Sequence, residues 1–174
     1  MIFKKQAEED FNIQAAEFTE MEALINRCAN IYRGVPEWLD DKNNIKTINF
    51  AKSVCSETAR LATLAIGIQI DGSARATWLQ EQIDKVYFKI RHWVEYGCAY
   101  GTVFIKPNGE GLDVFTPADV MIVDYDNQEI KGIIFKDSYV VGRKYYTRLE
   151  YHRFVETTVD GVTTYPYYVS NRAY

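Results

Sequence analysis

Histidine, cysteine and proline are scarce in this chain, at two, three and four residues out of 174. With so few imidazoles and thiols, a His/Cys metal cluster has almost nothing to draw on. Cys28, Cys55 and Cys98 are an odd number, spaced too widely for a zinc clasp or a disulfide framework. Each has apolar neighbours in sequence and reads as a small core residue whose thiol stays free in a reducing compartment. Ten glycines and four prolines exclude collagen-like or low-complexity character. No hydrophobic run approaches the roughly 20 residues that cross a bilayer; the longest covers 61–68. The N-terminal Met1-Ile2-Phe3-Lys4-Lys5 lacks the apolar stretch of a secretory signal. A cytoplasmic chain without a membrane segment is the expectation.

An excess of one charge is missing as well. The net charge is −4, divided evenly about Gly97, so the surface as a whole does not suit non-specific nucleic-acid binding. What the chain does have is 47% hydrophobic residues, enough to exclude disorder. A compact protein of this size should expose roughly 8,700 Å² and bury about 70% of its unfolded surface. Aromatics are unevenly placed: eight of the thirteen tyrosines lie at or beyond Tyr139, which points to strands and an interface there.

Apolar spacing predicts three helices. Phe11, Ala15, Phe18, Met21, Ile25, Cys28 and Tyr32 form one stripe over 6–32, ended by Gly34 and Pro36. Ile45, Ile48, Ala51, Cys55, Ala59 and Ala62, flanked by Val54, Leu61 and Leu64, predict a second helix over 44–65 with a small-residue packing face. A short strand is expected at 66–70. Asp71 or Ser73 then caps a third helix carrying Leu79, Ile83, Val86, Ile90 and Trp93 and ended by Gly97.

Beyond Gly97 the period changes from 3.6 to 2. Strands are expected at 99–106 and 112–115 around a turn containing Asn108-Gly109, at 120–123, and at 130–141, 144–157 and 162–171 as an antiparallel meander. Helices followed by strands define an α+β fold, with N-terminal helices packed on an antiparallel sheet. The expected organisation is a helical segment 1–97 and a β segment 98–174 forming one domain. The chain ends in or next to a strand without a polar tail, so it reads as a piece of a longer protein.

Groups that could carry chemistry are few. The close glycine pairs, Gly97 with Gly101 and Gly109 with Gly111, do not open a helix, so no phosphate cradle is expected. His92 and His152 are read as having no ligand partner at i+3 or i+4. Cys98 follows the third helix, where the negative dipole end disfavours a thiolate and leaves a buried structural thiol. Asp124 and Asp126 flank a turn, where Asp serves local backbone hydrogen bonds rather than a cation. Glu150 and His152, two apart on a strand, share a face in the geometry of a carboxylate orienting an imidazole. A hydrolase would add Ser138 or Thr147 as nucleophile, for which the sequence offers no support. No catalytic, cofactor-binding or metal-ligating residue is assigned, and no cofactor is expected.

Residues 131–153 hold Lys131, Lys136, Arg143, Lys144, Arg148 and Arg153 against Asp137 and Glu150, interleaved with Tyr139, Tyr145, Tyr146 and Tyr151. A hairpin of that composition over 130–155 could stack bases and neutralise phosphates, which would make the chain a small nucleic-acid-binding module. The simpler reading is a ribbon kept soluble by its charges.

Several phrases, in one colinear order over about 24–174, resemble the portal proteins of tailed bacteriophages, in particular the group from phages and prophages of Gram-positive bacteria. They are Ile31-Tyr32-Arg33-Gly34 with Trp38, the stretch from Asn49 to Leu61, Gly97-Cys98-Ala99-Tyr100-Gly101-Thr102-Val103, Val114-Phe115-Thr116-Pro117-Ala118-Asp119-Val120, Tyr145-Tyr146-Thr147-Arg148-Leu149-Glu150-Tyr151-His152, and Tyr168-Val169-Ser170-Asn171-Arg172-Ala173-Tyr174. The resemblance implies a non-enzymatic subunit of a dodecameric ring at the portal vertex of the virion, assembled in the host bacterial cytoplasm with capsid, scaffolding and terminase proteins. DNA passes the channel of such a ring, while the segment matched here corresponds to the outer wing and is not expected to bind DNA specifically.

Overall fold

The computed structural model describes residues 2–16, 19–39, 47–109, 111–127 and 129–174. The elements in chain order are α1 (Ile2–Phe11), α2 (Thr19–Arg33), α3 (Phe50–Thr63), α4 (Ala74–Val86), α5 (Ile90–Tyr100), β1 (Phe104–Pro107), β2 (Leu112–Phe115), β3 (Val120–Asp126), β4 (Glu129–Val141), β5 (Lys144–Phe154), β6 (Thr157–Val159), β7 (Val162–Thr164) and β8 (Tyr167–Ala173). The α+β class is as expected. No helix among the described residues is long and apolar enough to cross a membrane.

The compact units do not divide at Gly97. One comprises Met1–Phe18 with Asp119–Tyr174, the other Thr19–Ala118. The helical stretch expected over 6–32 is therefore two helices belonging to different units. Asn12 takes a left-handed φ of +50°, which Asn tolerates better than most residues, and ends α1. Residues 13–16 then run without helix: the Ile13 amide donates to the Glu8 carbonyl, and the Ala16 amide donates to Ile122 O of β3 at 3.2 Å.

In the sheet unit, strands β3-β4-β5-β8 form one antiparallel sheet, and β6-β7 is a small hairpin between β5 and β8. The expected third meander strand is thus interrupted at 165–166 and contributes β7 and β8 separately. One sheet face carries Ile134, Leu149 and Tyr151, and α1 covers it with Ala7, which has no exposed surface, and with Phe11. The Phe11 and Tyr151 rings lie 5.5 Å apart. The β4–β5 register is unbroken from Gly132↔Arg153 to Val141↔Lys144. Gly142, at φ +64°, supplies the positive φ that a two-residue hairpin turn needs at its first central position. Asp124 lies in β3 at a register irregularity opposite Gly132, and Asp126 ends that strand. Both were expected in a turn; the strand instead extends through Asp126, the alternation of Ile122, Asp124 and Asp126 being compatible with an edge.

In the helical unit, α3 packs on α5, and α2 packs on both. The second expected helix starts later, at Phe50, with Asn49 as its N-cap accepting from the Lys52 amide; the first part of the expected range, 44–46, lies outside the described residues. The expected strand at 66–70 is irregular. Its polar groups are taken by side chains: Gln80 accepts from the Ile70 amide and donates to Ile68 O, and the Tyr87 hydroxyl donates to Ile66 O. The third helix is two helices, α4 and α5, separated by a 3-10 turn over Tyr87–Lys89. Gly97 does not stop it. Gly101 does, in a left-handed conformation at φ +79° with its amide bonded to Gly97 O, a common glycine stop. The first β strand correspondingly begins at Phe104, and β1 and β2 pair as expected.

Gly34 closes α2 at φ +79°, and a Cβ there would stand 3.1 Å from Asn49 Nδ2. Gly34→Ala combines a left-handed alanine with a crowded helix cap and should cost about 1–3 kcal/mol, read as a lower melting temperature. An unchanged melt would show that this junction does not support the unit.

In the sheet unit the Tyr174 hydroxyl bonds Asp10. Hydrogen bonds from Tyr174 and then Gln6 hold the Asp10 carboxyl below its usual range. Burial, and then Asp10, push the Tyr174 hydroxyl up to about 12. The Asp10 contribution is thus complete above the ordinary carboxylate pKa and is lost as pH falls through that region. Tyr174 supports the fold below its ordinary pKa and ceases to as pH rises through about 12. Tyr174→Phe should return the Asp10 titration, followed by carboxyl NMR shifts, toward normal; an unmoved titration would refute the contact.

Candidate functional site

The second sheet face, opposite α1, carries the charged residues read from the sequence. Phe135 pairs with Glu150 and Ile133 with His152 across β4–β5, while Asn171 and Val169 of β8 sit opposite the same two residues. As the alternation predicts, Glu150 and His152 share this face, with His152 Nε2 2.6 Å from Glu150 Oε1. The partner that sequence reasoning missed is Tyr167, whose hydroxyl bonds His152 Nδ1. It lies on β8, fifteen residues away, where no local spacing rule reaches. The Phe135 ring meets the imidazole edge-on, with centroids 5.2 Å apart.

Both imidazole nitrogens are therefore engaged. A neutral ring satisfies both contacts if Nε2–H donates to the Glu150 carboxylate and Nδ1 accepts from the Tyr167 O–H. Burial, and then the nearby Glu150 charge, raise the pKa of Tyr167, which keeps its hydroxyl a donor. Arg148 extends the row: its Nη2 lies 3.1 Å from Asp137 Oδ2 and 3.7 Å from Glu150 Oε2, while its buried Nε has no partner among the described residues.

The nucleophiles a hydrolase would need are not brought to His152. Ser138 and Thr147 pair with each other across β4–β5, with oxygens 3.5 Å apart. By strand alternation both fall on the opposite sheet face from His152. Among the described residues, no group of three or more His, Cys, Asp or Glu side chains could hold a metal ion. What the row can do is hold β5 against β8 through the His152–Tyr167 hydrogen bond, with Glu150 orienting the imidazole from the same strand.

Two of the expectations about single residues fail. His92 does have a partner at i+3: its Nδ1 is 3.8 Å from Glu95 Oε2. Cys98 is neither beyond the helix nor buried, but lies within α5 and is exposed. Cys28 and Cys55 are half-buried, and all three thiols are free. Burial, and then Cys98, raise the Cys55 thiol.

Glu95 itself was not anticipated. It is 4% exposed and accepts from the Tyr32 hydroxyl of α2 at 2.6 Å. Burial, and then this carboxylate, hold Tyr32 far above its usual pKa. Tyr96 and Tyr100 surround the Tyr32 ring at 6.2 and 6.0 Å. Asn49 Nδ2 donates to Tyr32 O at 2.8 Å, which joins the end of α2 to the start of α3. The signal was available in principle: an acidic residue on the apolar side of a helix requires a donor.

Most of the basic residues at 131–153 are already answered. Lys131 pairs with Asp126, Lys136 with Asp119, and Arg148 with Asp137 and Glu150. Arg153 lies over the Tyr151 and Tyr168 rings. Among the described residues only Arg143 and Lys144, at the hairpin turn, have no carboxylate or ring beside them. Tyr139 and Tyr146 stack on each other, 5.6 Å apart and 17° from parallel, so one face of each is unavailable to a base. A phosphate-neutralising surface is thereby reduced to two cations.

No family model matches the chain, and no curated protein or solved structure matches it either.

His152→Ala or Glu150→Ala leaves one member of the buried pair without its partner and should destabilise the sheet unit by about 1–3 kcal/mol, lowering the melting temperature by several degrees. An unchanged melting temperature in both variants would contradict the role of this row in holding the sheet together.

Proposed function

We propose that the chain is the wing portion of a phage or prophage portal subunit, a structural element whose work is to hold neighbouring subunits at a capsid vertex. The observation that carries this reading is the surface of α3. Its small residues, Ala51, Cys55 and Ala59, face the packing against α5, and Ala59 is fully buried. Its large apolar residues point the other way. Phe50, Val54, Leu61 and the cap residue Leu64 fall within about 80° of one another around the helix, and all four are exposed, Phe50 by 72%.

Single exposed apolar residues are ordinary, whereas four on one helix face, here flanking the exposed Glu57–Arg60 ion pair, mark a surface that another protein covers. The resemblance of the colinear phrases from Ile31 to Tyr174 is what points this reading to a portal ring, and the row at Glu150 and His152 is read as a device that specifies the fold. In this reading the channel, the terminase-docking surface and the DNA contacts belong to other segments of the ring subunit.

The test is to express the whole open reading frame of the gene beside this 174-residue chain and measure both masses by light scattering. A ring of about a dozen copies from the longer product supports the reading. A reading frame that encodes this chain alone, yielding a monomer, refutes it.

A further inference from the structure

The β4–β5 hairpin outruns its sheet. Pairing with β3 reaches only Phe135 of β4, and pairing on the β8 side reaches only Thr147 of β5, opposite Tyr174. Residues 138–146 therefore form a two-stranded ribbon with both edges free of strand partners among the described residues. Natural sheets blunt such edges or use them. This one carries Val140, Val141 and Tyr145 exposed, Tyr145 by 85%, stiffened by the Tyr139–Tyr146 stack, and its turn holds Arg143 and Lys144.

The other end of the same strands has the opposite charge. The β3–β4 connection brings Asp124, Asp126 and Glu129 together, Glu156 follows β5 at the same end, and Asp160 stands farther out at the tip of the β6–β7 hairpin. Against these five carboxylates stand Lys131, paired with Asp126, and Arg153, engaged by two rings. The two ends lie about 40 Å apart along the 13-residue β4, too far to neutralise each other through a screening length of about 8–10 Å. Val159 and Val162 are exposed on the β6–β7 hairpin at the acidic end, apolar surface to meet the valines and tyrosine of the ribbon.

From this we infer a head-to-tail contact between copies of the chain: the Arg143/Lys144 ribbon of one copy docks on the acidic β3–β4 and β6–β7 end of the next. The inference rests on the ring reading above and names one of its contacts. Charge complementarity favours a second copy over single-stranded nucleic acid, because only two cations are available while a matching acidic, partly apolar surface exists on the same unit. A single such contact leaves each copy with one unused end, so it can propagate around a ring or along a filament. Its ionic character makes it salt-sensitive, and a ribbon tip buries less than the roughly 1,200 Å² of a stable interface, so the isolated chain associates weakly.

The experiment is sedimentation equilibrium of the 174-residue chain at low ionic strength, up to its solubility limit. Three samples are compared: the unaltered chain, a tip reversal (Arg143→Glu with Lys144→Glu) and an end reversal (Asp126→Lys with Glu129→Lys). All four positions are exposed, and circular dichroism melts confirm folding. The expected result is an average mass that rises with concentration and falls with salt, association weakened at least about tenfold in each reversal, and recovery when the two reversed proteins are mixed. A monomer at every concentration overturns the inference, and so does association that ignores both reversals. Binding of a single-stranded oligonucleotide that the tip reversal abolishes, with no self-association, overturns it in favour of a nucleic-acid arm. In the product of the whole open reading frame, a ring that assembles unchanged with both reversals refutes this contact and leaves the ring reading standing.

Discussion

The sheet unit depends on a contact between the two ends of the sequence. Ala7 of α1 is completely buried against the face that Ile134, Leu149 and Tyr151 build. An alanine at that position lets the helix backbone approach the sheet closely, while Phe11 and Ile13 fill the margin. Without α1 this face would be an open apolar surface on a sheet whose other side already carries ions. The whole helical unit, Thr19–Ala118, is thus an insertion between α1 and β3. Closing a loop of that length is slow but thermodynamically tolerable, since each doubling of loop length adds only about 0.6 kcal/mol.

The helical unit has a different centre. Its buried polar anchor is Glu95, reached by Tyr32 from α2, and the end of α2 is tied to the cap of α3 through Asn49. The small face of α3 lets it sit close to α5, and the consequence is that its bulk points outward. A helix with alanines inside and Phe50, Val54, Leu61 and Leu64 outside has the burial order reversed relative to an ordinary surface helix. That reversal makes sense where a further protein surface is to be added.

Much of this was legible in the sequence, and the failures have physical causes. The hairpins at 104–115 and 129–154 follow from alternation and from glycine-containing turns, and the shared face of Glu150 and His152 follows from strand geometry. The stretch over 6–32 keeps helical spacing at Phe11, Ala15, Phe18 and Met21 straight through Asn12, whose left-handed φ ends α1 and leads 13–16 along β3, while the other unit begins only at Thr19. Gly97 looked like a stop, yet an ordinary helical glycine and a left-handed one are indistinguishable until the next turn is seen; Tyr100 packing on Tyr32 carries the helix on to Gly101. The strand expected at 66–70 lost its backbone groups to Gln80 and Tyr87. Tyr167 and Glu95 escaped because their partners lie on other elements.

In the proposed assembly the large apolar side chains of α3 are kept for a neighbouring subunit and do nothing for the chain by itself. The most direct measurement is to replace Phe50, Val54 and Leu61 together with serine, then record the melting temperature of this chain and the mass of the product of its whole open reading frame. An unchanged or slightly raised melting temperature with loss of the ring is the predicted pair of results. A ring that assembles as before, or a chain that no longer folds, would contradict it.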